Sequence, residues 1–164
     1  YTKGAVIERQ DIPVLAFNEL KAEVMLENSK DSRYDLCLIG VGSMAWPAYD
    51  AAKQLQQYYN LNCCVINLRS VKPLDLDTLN QYIPQSKFVM VIEEGQGIGA
   101  VFQHIMSQYL ASDKALNQWI QLAIPDQFVE HGSVKELRDE FNLNSEGIVK
   151  LAKERILSSE TVYI

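Results

Sequence analysis

Histidine is almost missing from this chain: His104 and His131 are the only two in 164 residues. No Cys-x-x-Cys or His-x-x-x-His spacing accompanies them, so no motif offers convergent metal ligands. There is no G-x-S-x-G nucleophile elbow and no phosphate-cradling P-loop either. Basic side chains are outnumbered, with Lys plus Arg at 15 against Asp plus Glu at 21 and a net charge of −6. Binding to a nucleic-acid backbone draws on Lys and Arg, and this balance argues against such a partner. Long apolar runs are also lacking, since Lys, Asp, Gln or Asn interrupts every candidate before it reaches bilayer length. No secretory signal is visible, and a first residue of Tyr1 rather than Met leads us to expect a native N-terminus upstream. Cysteine is scarce and odd in number (Cys37, Cys63 and Cys64), each in a strand-like apolar run. Buried free thiols in a reducing compartment are therefore expected, not a disulfide framework.

What is present is apolar: 48% of the residues, enough in a chain of this length to bury the core of one domain. Residues 1–30 mix charges with short apolar runs, and Ala22-Glu-Val-Met-Leu26 reads as an edge strand. A regular alternation follows from Tyr34. Asp35–Gly40 reads as a strand buried on both faces, Cys63–Leu68 as a second strand, Lys87–Ile92 as a third, buried strand and Trp119–Ile124 as a fourth. A helix beginning within Ser43–Pro47 carries Ala48, Ala51, Ala52, Leu55 and Tyr59 on one stripe. Asp75 caps a short helix bearing Leu76, Leu79 and Ile83. Another runs from about Gly97 to Leu110 with Ile98, Val101, Phe102, Ile105, Met106 and Tyr109 inward. Two more close the chain; Ser133 and Glu136 have capping-box spacing, and Ile148, Leu151, Ala152 and Ile156 line the last. Strands alternating with helices imply crossover units and a mostly parallel sheet covered on both faces, an α/β fold.

Two motifs invite a chemical reading. Gly40-Val-Gly-Ser-Met-Ala45 fits the G-x-G-x-x-A dinucleotide pattern, whose glycines let a pyrophosphate approach a helix N-terminus. No acidic residue ends the next strand, where Asn67, Leu68 and Arg69 stand, so the pattern could serve only NADP; otherwise it is a tight strand-to-helix turn. Glu93-Glu94-Gly95 ends the third of the regular strands, at the edge where open α/β sheets bind ligands. Adjacent strand residues point to opposite faces, so the two carboxylates are not expected to share one substrate, and a loop lining an interface is expected there. From the residues alone the chain shows no self-sufficient active site.

Ile124-Pro-Asp-Gln-Phe-Val-Glu-His-Gly-Ser133 resembles the Leu-Pro-Asp-Arg-Phe-Ile-Glu-His-Gly-Ser signature of the 1-deoxy-D-xylulose-5-phosphate synthase family, in the transketolase superfamily. Other blocks follow in the family's order. Tyr1-Thr-Lys-Gly4 is similar to the Tyr-Pro-Arg-Gly that closes its pyrimidine-binding domain. Leu38-Ile-Gly-Val-Gly-Ser-Met44, Val65-Ile-Asn-Leu-Arg-Ser-Val-Lys-Pro-Leu-Asp75 and Glu93-Glu-Gly95 resemble further family blocks, as does Leu143-Asn-Ser-Glu-Gly-Ile148. The early blocks are shared with 2-oxoacid dehydrogenase beta-type subunits. After Glu-Glu-Gly the chain departs, with Gly99-Ala-Val-Phe-Gln103 in place of Gly-Gly-Phe-Gly-Ser.

The resemblance implies a three-layer α/β/α domain over residues 31–164 with a mostly parallel five-stranded sheet, residues 1–30 being the link from the pyrimidine-binding domain. Ala22–Leu26 would be its antiparallel strand. It implies a transferase that condenses pyruvate with glyceraldehyde 3-phosphate for isoprenoid and thiamine biosynthesis, in a bacterial cytoplasm or a plastid-type organelle. Thiamine diphosphate and Mg2+ would sit in the two preceding domains, none being expected on this chain, which would support a homodimer and border the active site. No catalytic residue maps here. The arginine thought to hold the aldehyde's phosphate falls on Lys3, which keeps the charge but loses the bidentate fork. Arg69, Lys72, Glu93, Glu94 and His131 are border candidates. The alternatives are a beta-type domain of a 2-oxoacid dehydrogenase and a free-standing NADP-binding or scaffold module.

Overall fold

The computed structural model describes residues 20–28, 31, 33–110 and 118–159; Lys3 and the Tyr1–Gly4 block lie outside them. The strands are β1 (Glu23–Glu27), β2 (Tyr34–Gly40), β3 (Cys63–Asn67), β4 (Ser86–Gln96) and β5 (Gln118–Ile124). They form one five-stranded sheet in the order β1-β3-β2-β4-β5. β2 pairs in parallel with both β3 and β4, and β4 with β5, while β1 runs antiparallel to β3. The helices are α1 (Ala45–Tyr59), α2 (Leu76–Tyr82), α3 (Val101–Leu110), α4 (Val134–Glu140) and α5 (Ser145–Ser159). This is the three-layer α/β/α arrangement expected, with the antiparallel strand at the expected edge.

The continuous apolar runs of β2, β3 and β4 serve two cores because alternate residues face opposite layers. Leu36, Leu38, Cys63, Val65, Met90 and Ile92 pack with Ala48, Ala52 and Leu55 of α1 and Ile148, Ala152 and Ile156 of α5. Cys37, Ile39, Cys64, Ile66, Val89 and Val91 pack with Leu79 of α2 and Ile105 and Tyr109 of α3. All three cysteines are buried and free. The caps work as their side chains dictate. Ser133 and Glu136 form a reciprocal capping box, and Asp75 accepts from Thr78 N. In Leu143–Ile148, Asn144 Oδ1 accepts from Gly147 N at 2.8 Å. A Cβ on Gly147 would stand 2.2 Å from the Asn142 carbonyl oxygen, so the close approach there requires glycine.

Three expectations need correction. α3 begins at Val101 rather than near Gly97, and Ile98 is 71% exposed instead of inward. Gly99 at φ +75° cannot continue a right-handed helix, so the first turn can form only beyond it. Tyr59, placed on the buried stripe of α1, is 36% exposed beneath Lys153 Nζ, 4.6 Å from its ring centre. It is the last helical residue, where Asn60 turns the chain left-handed at φ 53°. Finally, Glu93-Glu94-Gly95 is not loop: β4 continues to Gln96, through a register irregularity against β5.

Candidate functional site: the carboxyl rim of the sheet

Parallel strands bring the ends of β2, β3, β4 and β5 to one rim, and Arg69, Lys72, Glu93, Glu94 and His131 all follow or end those strands. The β2 end is a packing turn. A Cβ on Gly40 would lie 2.5 Å from Ala45 Cα and 2.7 Å from Ala45 N, so the missing side chain makes room for α1 itself. Gly42 adopts φ +58° as the chain reverses into a single 3-10 turn over Gly42–Met44. Arg69, on which an NADP reading depends, is taken up by β1: its Nη2 lies 2.7 Å and its Nε 3.1 Å from Glu23 Oε2. Asn67 Nδ2 donates to the same oxygen at 3.3 Å.

Glu93 and Glu94 do point apart. The Glu93 side chain is buried, and its two oxygens accept from Val101 N at 3.1 Å and Phe102 N at 3.2 Å, so it seats the first turn of α3. Glu94 faces the other layer and bridges the Ser43 hydroxyl and Arg138 Nε, the latter at 2.5 Å. Partial burial opposes ionisation of Glu94, but the Arg138 and Ser43 hydrogen bonds outweigh it and hold the carboxyl below its usual range. Through this bridge β4 fixes both the glycine turn and α4. Sequence reasoning missed Arg138, because nothing in the spacing of 94 and 138 announces a contact made only by folding.

The segment after β5 lies open. Pro125–Phe128 and Glu130–Ser133 are exposed, His131 included, and Phe128 is 98% exposed. Gln96 Nε2 to Asp126 Oδ1 (2.6 Å) and Gly97 N to Ile124 O (2.8 Å) hold this segment against the end of β4. On the α3 side of β4 lies a cavity of about 680 Å3 whose lining includes Lys72, Glu93 and His104. The rim therefore brings Lys72 and Glu93 together in one hollow. Glu94 and Arg69 are committed to Arg138 and to Glu23, and His131 lies in a separate exposed loop.

The transketolase C-terminal domain model matches residues 27–148. The chain belongs to that family. Among curated relatives it is 32% identical over 142 residues to a 1-deoxy-D-xylulose-5-phosphate synthase of Paraburkholderia xenovorans, covering 87% of this chain and 21% of that protein. It is 36% identical over 120 residues to the same enzyme of Lawsonia intracellularis, covering 72% and 19%. The chain thus spans about a fifth of the length of the curated relatives it matches. Solved transketolases share the fold: a split-gene transketolase described as an inactive beta4 tetramer superposes with a TM-score of 0.71 at 20% identity, over 87% of this chain and 44% of that one. A transketolase from Pichia stipitis gives 0.59 at 18% identity, over 85% and 18%. Transketolases and these synthases are transferases, so the family is one of enzymes. Among the described residues of this member, no helix is long and apolar enough to cross a membrane.

Proposed function

We propose that this chain acts as the C-terminal domain of a thiamine-diphosphate-dependent 1-deoxy-D-xylulose-5-phosphate synthase, supporting a dimer and bordering the active site without supplying its central chemistry. The observation that carries the reading is the Ile124–Ser133 signature, in a chain whose curated relatives bear that enzyme's name. Its exposed setting supports a bordering role, since Phe128 in the middle of the signature touches almost nothing of its own domain. Residues 1–30 link to the pyrimidine-binding domain, with β1 at their end joining this sheet. Lys3 then meets the aldehyde's phosphate as a point charge.

Thiamine diphosphate and Mg2+ do not fit the residues of this rim. The glycine turn is filled by Ala45, and among the described residues no three His, Cys, Asp or Glu side chains converge on a metal position. Both are assigned to the preceding domains, and no step of the reaction is assigned to this chain. The parent polypeptide should release carbon dioxide from pyruvate when glyceraldehyde 3-phosphate is supplied. The 164-residue chain alone, given thiamine diphosphate and Mg2+, should release none. Carbon dioxide release by the isolated chain would overturn the reading.

A further inference from the structure

We propose that the cavity between the β3–α2 connection and the start of α3 binds a zwitterionic amino acid with an apolar side chain. This goes beyond the synthase reading and does not depend on it. The hollow, about 680 Å3, is within the range of small-molecule pockets. Its lining carries charges of both signs and an apolar wall. Lys72 is exposed and makes no ion pair among the described residues. His104 is half-buried, and its ring has no hydrogen-bond partner among them. The same lining holds Glu93, buried, with each oxygen already accepting one backbone N–H of α3. A carboxylate oxygen has room for a second donor, so Glu93 can still receive one from a ligand. Val71, Ile98 and Val101 form the apolar part, and Ile98, 71% exposed, is the side chain with most to gain from a ligand's hydrocarbon.

Charge selects the ligand class. In many α/β folds a phosphate sits at a helix start on this rim, but here Glu93 occupies that seat and repels it. A simple anion would meet Lys72 at the cost of facing Glu93, and a simple cation would do the reverse. A molecule with an ammonium for Glu93, a carboxylate for Lys72 and His104, and an aliphatic body for Val71, Ile98 and Val101 satisfies all three.

Titration calorimetry of the full chain with L-leucine tests this. Saturable binding is expected, with Lys72→Ala weakening it about tenfold or more and Lys135→Ala, elsewhere on the surface, leaving it unchanged. Lys72→Gln, which keeps the stem, should lose affinity alike, and circular dichroism verifies that both variants fold. Isocaproate and isopentylamine, leucine without its ammonium and without its carboxylate, should bind about tenfold or more weakly than leucine. No saturable heat with millimolar leucine would overturn the proposal. So would binding indifferent to both Lys72 variants, or Lys72-dependent binding of inorganic phosphate equal to that of leucine. None of these outcomes bears on whether the parent enzyme is a synthase.

Discussion

On the β1, β3 and β2 side of the carboxyl rim, polar groups end on other groups of the chain; on the β4 and β5 side several end on a cavity or on solvent. Over the first half, Glu23 gathers Arg69 and Asn67, and Gly40 admits the backbone of α1. Asp75 caps α2 and also accepts from Ala22 N at 2.9 Å, tying the entry of β1 to the opposite layer. Glu27, at the far end of β1, accepts from both Tyr34 and Tyr82 hydroxyls. Over the second half, Ile98 and Phe128 project and the His104 ring has no hydrogen-bond partner among the described residues, in a hollow that Lys72 of the β3–α2 connection also lines. A half that satisfies itself contributes to stability, whereas a half with open groups has them available for something else. Glu93 and Glu94 show that the boundary is fine: one seats a helix beside the cavity, and its neighbour closes a bridge to Ser43 and Arg138.

The sharpest way to break this comparison is a methyl group on each side. Gly40→Ala would drive a Cβ to 2.5 Å from Ala45 Cα, and overpacking against backbone should cost about 3 kcal/mol or more by urea unfolding. Gly99→Ala, at φ +75° with nothing within 4 Å, meets only the left-handed penalty and should cost about 1 kcal/mol. Equal losses would show that the glycine turn is not the tighter of the two. Next, Glu23→Ala should cost about 2 kcal/mol, because it removes the carboxylate oxygen that Arg69 Nε and Nη2 share in a largely buried ion pair. A loss near zero would mean that the Glu23 pair adds nothing to what else holds Arg69.

The third test is pH. Burial opposes ionisation of Asp75, but hydrogen bonds from Thr78, Ala22 and Lys21 more than offset it, so its carboxyl, like that of Glu94, is held below the usual range. A carboxyl depressed by folding contributes stability above its unfolded value of about 4, and that stability is lost as pH falls through the folded value. Urea midpoints should therefore drop between about pH 5 and about pH 2, and Asp75→Asn should shrink the drop. An unchanged drop in that variant would remove Asp75 as a source. The smallest effect belongs to the open side. Phe128→Ser should move the stability of the chain by no more than about 0.5 kcal/mol. A loss above about 1 kcal/mol would mean that Phe128 packs within its own domain after all.

The layer order was readable from strands and helices in alternation, and capping side chains marked the starts of α2 and α4 because a cap acts over three or four residues. The same locality explains the errors. Ile98 and Tyr59 fit an apolar spacing, but they sit where a positive-φ residue ends or precedes the helix, and spacing alone does not report φ. At the rim, the opposed directions of Glu93 and Glu94 followed from strand geometry. Their partners did not: Arg138 lies 44 residues from Glu94, and Val101 and Phe102 became donors to Glu93 only once α3 began where it does.

By itself the sequence determined the class of the fold, the buried thiols, the turn at Gly40 and the family resemblance, since each rests on residue types in local order. Only tertiary structure decided that Arg69 ends on Glu23, that Glu94 bridges Ser43 and Arg138, and that Lys72, Glu93 and His104 line one hollow. Those pairings join segments far apart in the chain, and parallel crossovers bring such segments to a common edge through packing of the whole sheet, not through any property of the residues between them.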